Sequence, residues 1–317
     1  MPLMSKLSEP LKAFINAAHA RPNTTPAPRH IGSVYEKVAQ DASAKSVGMP
    51  AWLTASVRVL CLSFIANIVR TAYHVCQTAA TMTMNSPRSM LELYGLATSP
   101  KQAQGQNNGV WAAELMREVG LKCIGLNGVP RTINTLGEFY NGLPPDIQTE
   151  LKKRQPRRHL SQSHIDTTLH RGNALWESIY RPFSDKLTQK LAQSHPDLPV
   201  FIIEGEYGAL FSDPAYPGGN NHDPNRPNVG RVLMSILAVA VLRAQTGVGP
   251  QVVSHLFGLR KAYEDGTAEA EPEVQGGKWL ASNEGSYWLL EQVDRIVEAI
   301  GEGKGSSFAP GMEKAKL

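Results

Sequence analysis

Arg231-Val-Leu-Met-Ser-Ile-Leu-Ala-Val-Ala-Val-Leu-Arg-Ala-Gln-Thr-Gly-Val-Gly-Pro-Gln-Val-Val-Ser-His-Leu-Phe-Gly-Leu-Arg-Lys-Ala-Tyr-Glu-Asp-Gly266 is the stretch that decides the fold. Its first half, residues 229–245, is apolar on nearly every side (Val232, Leu233, Ile236, Leu237, Val239, Ala240, Val241, Leu242), the pattern of a helix packed inside a core rather than lying on a surface. Gly247-Val248-Gly249-Pro250 makes a turn, and Pro250 suits the first turn of the next helix, where its missing N–H would have no partner anyway. That helix runs to about Glu264 and stops at Gly266. Along it Val252, His255, Leu256, Leu259 and Tyr263 fall at i, i+3, i+4, i+7 and i+11, one helical face, so the His255 imidazole points into the core with the apolar side chains.

Around this hairpin, bulk properties bound the answer. With 317 residues, 42% hydrophobic and 19% charged, the chain has enough apolar material for a sizeable globular core. The formal net charge of +4 is small for that length. Its one dense basic run, Lys152-Lys-Arg-Gln-Pro-Arg-Arg-His159, lacks interleaved aromatics and reads as a solvated connector, so no nucleic-acid partner is expected. Three cysteines, Cys61, Cys76 and Cys123, form no Cys-x-x-Cys and no metal-ligand spacing; this fits a reducing compartment and implies no metal and no cofactor. Residues 1–10 have no apolar segment after a basic start, against secretion. The most apolar window, residues 57–75, contains Arg58 and Arg70 and is barely membrane length, so no membrane span is expected. The last three residues, Ala315-Lys316-Leu317, form a small-basic-Leu tripeptide of the kind read by the peroxisomal import receptor, on a glycine-, serine- and lysine-rich tail at 301–317.

Helical signals dominate elsewhere, and no alternating run suggests a strand; the expected class is all-α. Residues 21–30 hold three prolines and read as an extended arm after a short first helix. Helices are expected over 111–119, ending at Gly120, over 131–140, and over 165–194 with an interruption near Pro182. Residues 199–211 follow, then a loop over 213–228 whose His222 and Asp223 are metal ligands only on paper. Ser282 is a plausible N-cap for a last helix that buries Leu289, Val293, Ile296, Val297 and Ile300 and ends at Gly301.

A histidine on an apolar face is most often a satisfied core residue. The functional alternative is that burial and a nearby carboxylate poise it near neutral pH as an acid or base. Glu204 and Glu206 are the candidate carboxylates, and Tyr207 a phenolic donor.

At residues 231–266 the sequence resembles the helical hairpin of the carboxymuconolactone decarboxylase and AhpD-like superfamily. Further segments are similar to its long fungal branch: His19-Ala-Arg-Pro-Asn-Thr-Thr-Pro-Ala-Pro28, Gly128-Val-Pro-Arg-Thr-Ile-Asn-Thr-Leu136, Tyr207-Gly-Ala-Leu-Phe211 and Trp279-Leu-Ala-Ser-Asn-Glu-Gly285. The resemblance implies an AhpD-like helical bundle over 31–300 that assembles into a homo-oligomer. The peroxidase branch of that superfamily uses Cys-x-x-Cys, but aligning His255 with the family's later histidine places Val248 and Gln251 at the two cysteine positions, which excludes disulfide peroxidase chemistry there. The decarboxylase branch implies acid–base chemistry on a small carboxylate or lactone, with His255 as acid or base, Arg231 as a bidentate holder of the substrate carboxylate, and Arg131 and Asn134 in the other family-like segment as further candidates. A member that keeps the fold as a non-catalytic binding or scaffold protein is the alternative. A thiol peroxidase is third, with Cys123 as nucleophile.

One stretch departs from the resemblance. Residues 51–56 and 78–87 look like neighbours, yet the 21 residues 57–77 separate them. Beginning Val-Arg-Val and ending Gln, the stretch is compatible with a retained intron; an inserted helix is the ordinary reading, and sequencing the spliced transcript separates the two.

Overall fold

The computed structural model describes residues 7–17, 21, 23–45, 71–99, 109–214, 227–271, 274 and 276–306. Residues 57–70 of the questioned stretch, Cys61, His222, Asp223 and the tripeptide Ala315-Lys316-Leu317 lie outside them. Among the described residues there is no strand, and the class is all-α as expected.

In chain order the helices are α1 (Glu9–Ile15), α2 (Ile31–Ala44), α3 (Thr71–Thr83), α4 (Pro87–Ala97), α5 (Gly109–Lys122), α6 (Ile124–Asn127), α7 (Val129–Gly142), α8 (Pro145–Lys152), α9 (Ile165–Tyr180), α10 (Ser184–Ser194) and α11 (Asp197–Val200). A π-helix (Phe201–Phe211) continues α11, followed by α12 (Arg231–Gln245), α13 (Gly249–Glu264), a 3-10 turn (Thr267–Ala270), α14 (Gly277–Leu280) and α15 (Asn283–Gly301).

The hairpin is α12 and α13. Every residue of α12 except Arg231 and Arg243 is buried, because α3, α13 and α15 surround it. Burying each large aliphatic side chain of this kind contributes about 1.5–3 kcal/mol. The second core helix is α3, whose side chains from His74 to Thr83 are all buried. Residues 71–77 of the questioned stretch therefore form the first half of a core helix. Ser282 caps α15 by accepting from the Gly285 N–H at 3.0 Å, as its sequence suggested.

The proline-rich arm is docked rather than free: Thr25 N–H donates to the Asn85 carbonyl at 2.8 Å, and Ser86 Oγ donates to the Thr25 carbonyl at 2.9 Å. Two expectations need correction. Helix α5 runs through Gly120 to Lys122, because there the missing side chain makes room for Leu136 of α7: a Cβ would sit 2.6 Å from Leu136 Cδ2. The basic run is an irregular connector, but Arg154 pairs with Glu114, and Arg157 and Arg158 with Glu118, so these arginines are tied to α5 instead of being solvated.

Candidate functional site

His255 lies on α13, 7% exposed, facing α9 and the π-helix. Local sequence explains both neighbours. Helix α9 ends at Tyr180 because Pro182 follows, and its C-terminal turn brings Trp176 and Tyr180 toward α13. The π-helix, a rare form that often marks functional positions, supplies Tyr207. Its wider turn is seen where Ser212 N–H donates to the Tyr207 carbonyl five residues back, at 3.0 Å.

These elements build one polar thread through an aromatic cluster. The Tyr180 hydroxyl lies 2.9 Å from that of Tyr207 and 3.5 Å from His255 Nε2. Trp176 packs on both tyrosine rings, with centroids 4.2 and 5.1 Å away. His255 Nδ1 is buried and has no hydrogen-bond partner among the described residues. Arg231, opening α12, stands close by and ties three helices together. Its Nε donates to Ser178 Oγ at 2.9 Å, Nη1 to Ser235 Oγ at 2.7 Å, and Nη2 to the carbonyls of Ser178 and Gly258 at 3.1 and 2.6 Å.

Burial and then the Arg231 charge push the His255 pKa down to about 4, and burial pushes both tyrosines up. The expectation of a histidine poised near neutral pH is thus corrected: its charged neighbour is a cation, not a carboxylate, so it is a neutral imidazole at pH 7. Stability follows in sign. The unfolded histidine, with a pKa near 6.5, binds its proton first on acidification, so the stabilisation is complete above about pH 6.5 and is lost as pH falls toward 4. The full difference is about 3 kcal/mol. Urea unfolding from pH 7.5 to 4.5 is expected to be steeper in pH for the wild type than for His255→Gln; parallel profiles would contradict the burial argument.

The other expected site residues are scattered. Glu204 is exposed. Glu206 packs against Gly125, with its Oε2 buried and without a hydrogen-bond partner among the described residues, and its pKa is raised by burial. Arg131 donates to the Thr83 carbonyl at 3.1 Å from α7, which packs on α3, α4, α5 and α6, and Asn134 is exposed on the same helix. Neither joins the hydrogen-bonded thread at His255. Cys123 is fully buried, and burial holds its thiol far above the ordinary range, unsuited to a thiolate nucleophile. The bidentate role expected of Arg231 is also revised, since four of its five N–H groups are already donated to protein oxygens.

Arg231 does reach a cavity of about 550 Å³, lined also by His170, Arg171, Ser178, Asp213 and Thr267. Among the described residues the hydrogen bonds of Arg171 are long, 3.4 Å to Ser212 Oγ and to Thr168 Oγ1, with Asp213 as a more distant counter-charge, so it is less committed to protein oxygens than Arg231. Sequence reasoning missed Arg171 and Tyr180, which carry no motif; the packing of α9 places the first at the cavity and the second at His255. Cavities of about 450 and 320 Å³ lie elsewhere, and His255 lines none of the three. Among the described residues no helix is long and apolar enough to cross a membrane.

No protein-family model matches the chain, and no solved structure matches it. It is similar to Peroxisomal protein 2 of Schizosaccharomyces pombe, 27% identical over 143 residues that make up 45% of this chain and 58% of that protein. The chain therefore spans little more than half the length of the relative it matches. The peroxisomal localisation read from Ala315-Lys316-Leu317 agrees with that relative's name.

Proposed function

We propose that this chain is a peroxisomal protein of the carboxymuconolactone decarboxylase and AhpD-like kind, which holds a small carboxylated or lactone molecule at the Arg171–Arg231 cavity and whose candidate acid–base group, His255, hydrogen-bonded to Tyr180, is coupled to that cavity through the Arg231 charge. The observation that carries this reading is the double position of Arg231, which lines the cavity and, behind burial, also contributes charge at the imidazole and both phenols. A neutral buried imidazole is a proton acceptor, and burial together with the nearby Arg231 charge keeps it a weak one. A carboxylate at Arg171 and Arg231 offsets that charge and strengthens the base only when ligand is bound. Arg231 contributes charge to this site, while Arg171 supplies the donor fork.

Turnover of a panel of lactone and 2-oxo acids is the first measurement. His255→Gln is expected to remove at least about a hundredfold of the rate, the usual size of one acid–base group, with the helical spectrum unchanged. Unchanged turnover rejects the reading. A non-catalytic binding or scaffold role is favoured by one observation, that His255 lines none of the three cavities and sits ring against ring. Carboxylate binding that raises the His255 pKa in an NMR titration, without turnover of any acid in the panel, would establish that second reading.

A further inference from the structure

The connector between α8 and α9 crosses α5 and encloses a cavity of about 320 Å³ with it, whose lining includes Glu114, Arg117, Glu118, Arg154, Arg157 and Arg158. We infer that this cavity is an anion site for the phosphoryl group of a soluble phosphorylated small molecule, separate from the His255 site and standing whether or not the proton-transfer reading does.

Charge count is the first argument. Glu114 is shared by Arg154 and, at 3.9 Å, by Arg117; Glu118 is shared by Arg158 and, at 3.6 Å, by Arg157. Among the described lining residues four guanidinium groups thus face two carboxylates, an excess of two positive charges. Adding the adjoining Lys122 and Asp213 leaves that excess unchanged, since Asp213 lies 2.8 Å from Lys122 and 3.9 Å from Arg158 and the pair sums to zero. A phosphomonoester carries about −1.5 to −2 charge at pH 7, which balances the excess, whereas a single carboxylate balances half of it.

Desolvation is the second. The Arg157 and Arg158 side chains are only 13% and 18% exposed, so like charges are held together where water screens them poorly. Burial raises the Glu118 pKa, but Lys122, Arg158 and Arg157 together outweigh it and hold the group below its usual value, a sign of the cationic field in this corner. The third is an open valence: Arg158 Nε is buried and has no acceptor among the described residues. A tetrahedral oxyanion offers three or more acceptor oxygens to donors converging from two chain segments, the geometry that arginine forks suit. Concavity and the lack of interleaved aromatic rings argue against a nucleic-acid surface.

Calorimetry of the full chain with glycerol 3-phosphate, against malonate at matched ionic strength, tests the inference. Arg117→Gln is the variant of choice, because Arg117 touches Glu114 only at 3.9 Å and its loss leaves the Arg154–Glu114 and Arg158–Glu118 pairs in place. Glycerol 3-phosphate is expected to bind and malonate to bind at least about tenfold more weakly. Arg117→Gln is expected to weaken the phosphoester about tenfold, the loss of one charge-assisted contact, with its melting temperature within a few degrees of wild type. His255→Gln is expected to bind it as the wild type does. No binding of glycerol 3-phosphate, equal binding of malonate, or an unaltered affinity in Arg117→Gln would overturn the site. Binding only to vesicles that contain phosphatidate would likewise overturn it, assigning the arginines to a membrane surface.

Discussion

Replacing Lys122 by Met is expected to destabilise the fold by about 3–5 kcal/mol, the range for removing one partner of a buried ion pair. Lys122 closes α5 with a side chain that is 0% exposed, and its ammonium spends all three N–H groups inside the protein. They go to the Phe211 carbonyl at 2.6 Å, the Val229 carbonyl at 2.6 Å and Asp213 Oδ1 at 2.8 Å. One group thereby ties the end of the π-helix to the residues leading into α12. A methionine fills similar volume, so packing is kept while two carbonyls lose their donor and Asp213 keeps only Arg158, at 3.9 Å. An arginine is not expected to rescue the loss, because its planar fork cannot aim three donors from one nitrogen. Urea unfolding measures the total. Hydrogen exchange should show the amides of 211–213 and 229–232 opening first. A loss below about 1 kcal/mol would mean that these carbonyls find other donors.

The second large effect is expected at Gly172→Ala, at about 3 kcal/mol, the upper end of ordinary overpacking. A Cβ there would lie 2.6 Å from the Ile203 carbonyl oxygen, 2.7 Å from Gly208 Cα and 2.8 Å from Gly208 N. All three are backbone atoms, so no rotamer change relieves the clash, and α9 must part from the π-helix. Those two elements carry Tyr180 and Tyr207, so the 2.9 Å hydroxyl pair is expected to open and the His255 titration to move with it. The same substitution at Gly137, an exposed helical position where a Cβ meets nothing within 4 Å, is expected to stabilise by about 0.5–1 kcal/mol through helix propensity alone. Opposite signs for one chemical change separate packing from propensity; a similar cost at both sites would refute the close-approach argument.

The hairpin was legible because its signals are local. An all-apolar run, a glycine–proline turn and a heptad-like spacing specify α12, α13 and the inward side of His255 without reference to the rest of the chain. The electrostatic character of His255 was not legible. The same imidazole beside a carboxylate would be poised near neutrality, and it is neutral here because it is buried and because the Arg231 charge stands nearby. Glu206 and Tyr207 are adjacent in sequence, yet the π-helix directs one toward Gly125 and the other toward Tyr180. Lys122 carries no sequence signal of its burial, which depends on residues about ninety to a hundred positions further on returning to it.

By itself, then, the amino-acid sequence determined the helical class, the central hairpin, the inward histidine and the peroxisomal localisation, all of which rest on periodicity or on short contiguous signals. Only the tertiary structure decided which charges meet: the Arg231 cation with the buried His255, the connector arginines with Glu114 and Glu118, and Lys122 with Asp213. The physical reason is range. Burial patterns are written every three or four residues, whereas ionisation and ion pairing depend on Coulomb terms between groups that only the packed fold brings within a few ångströms.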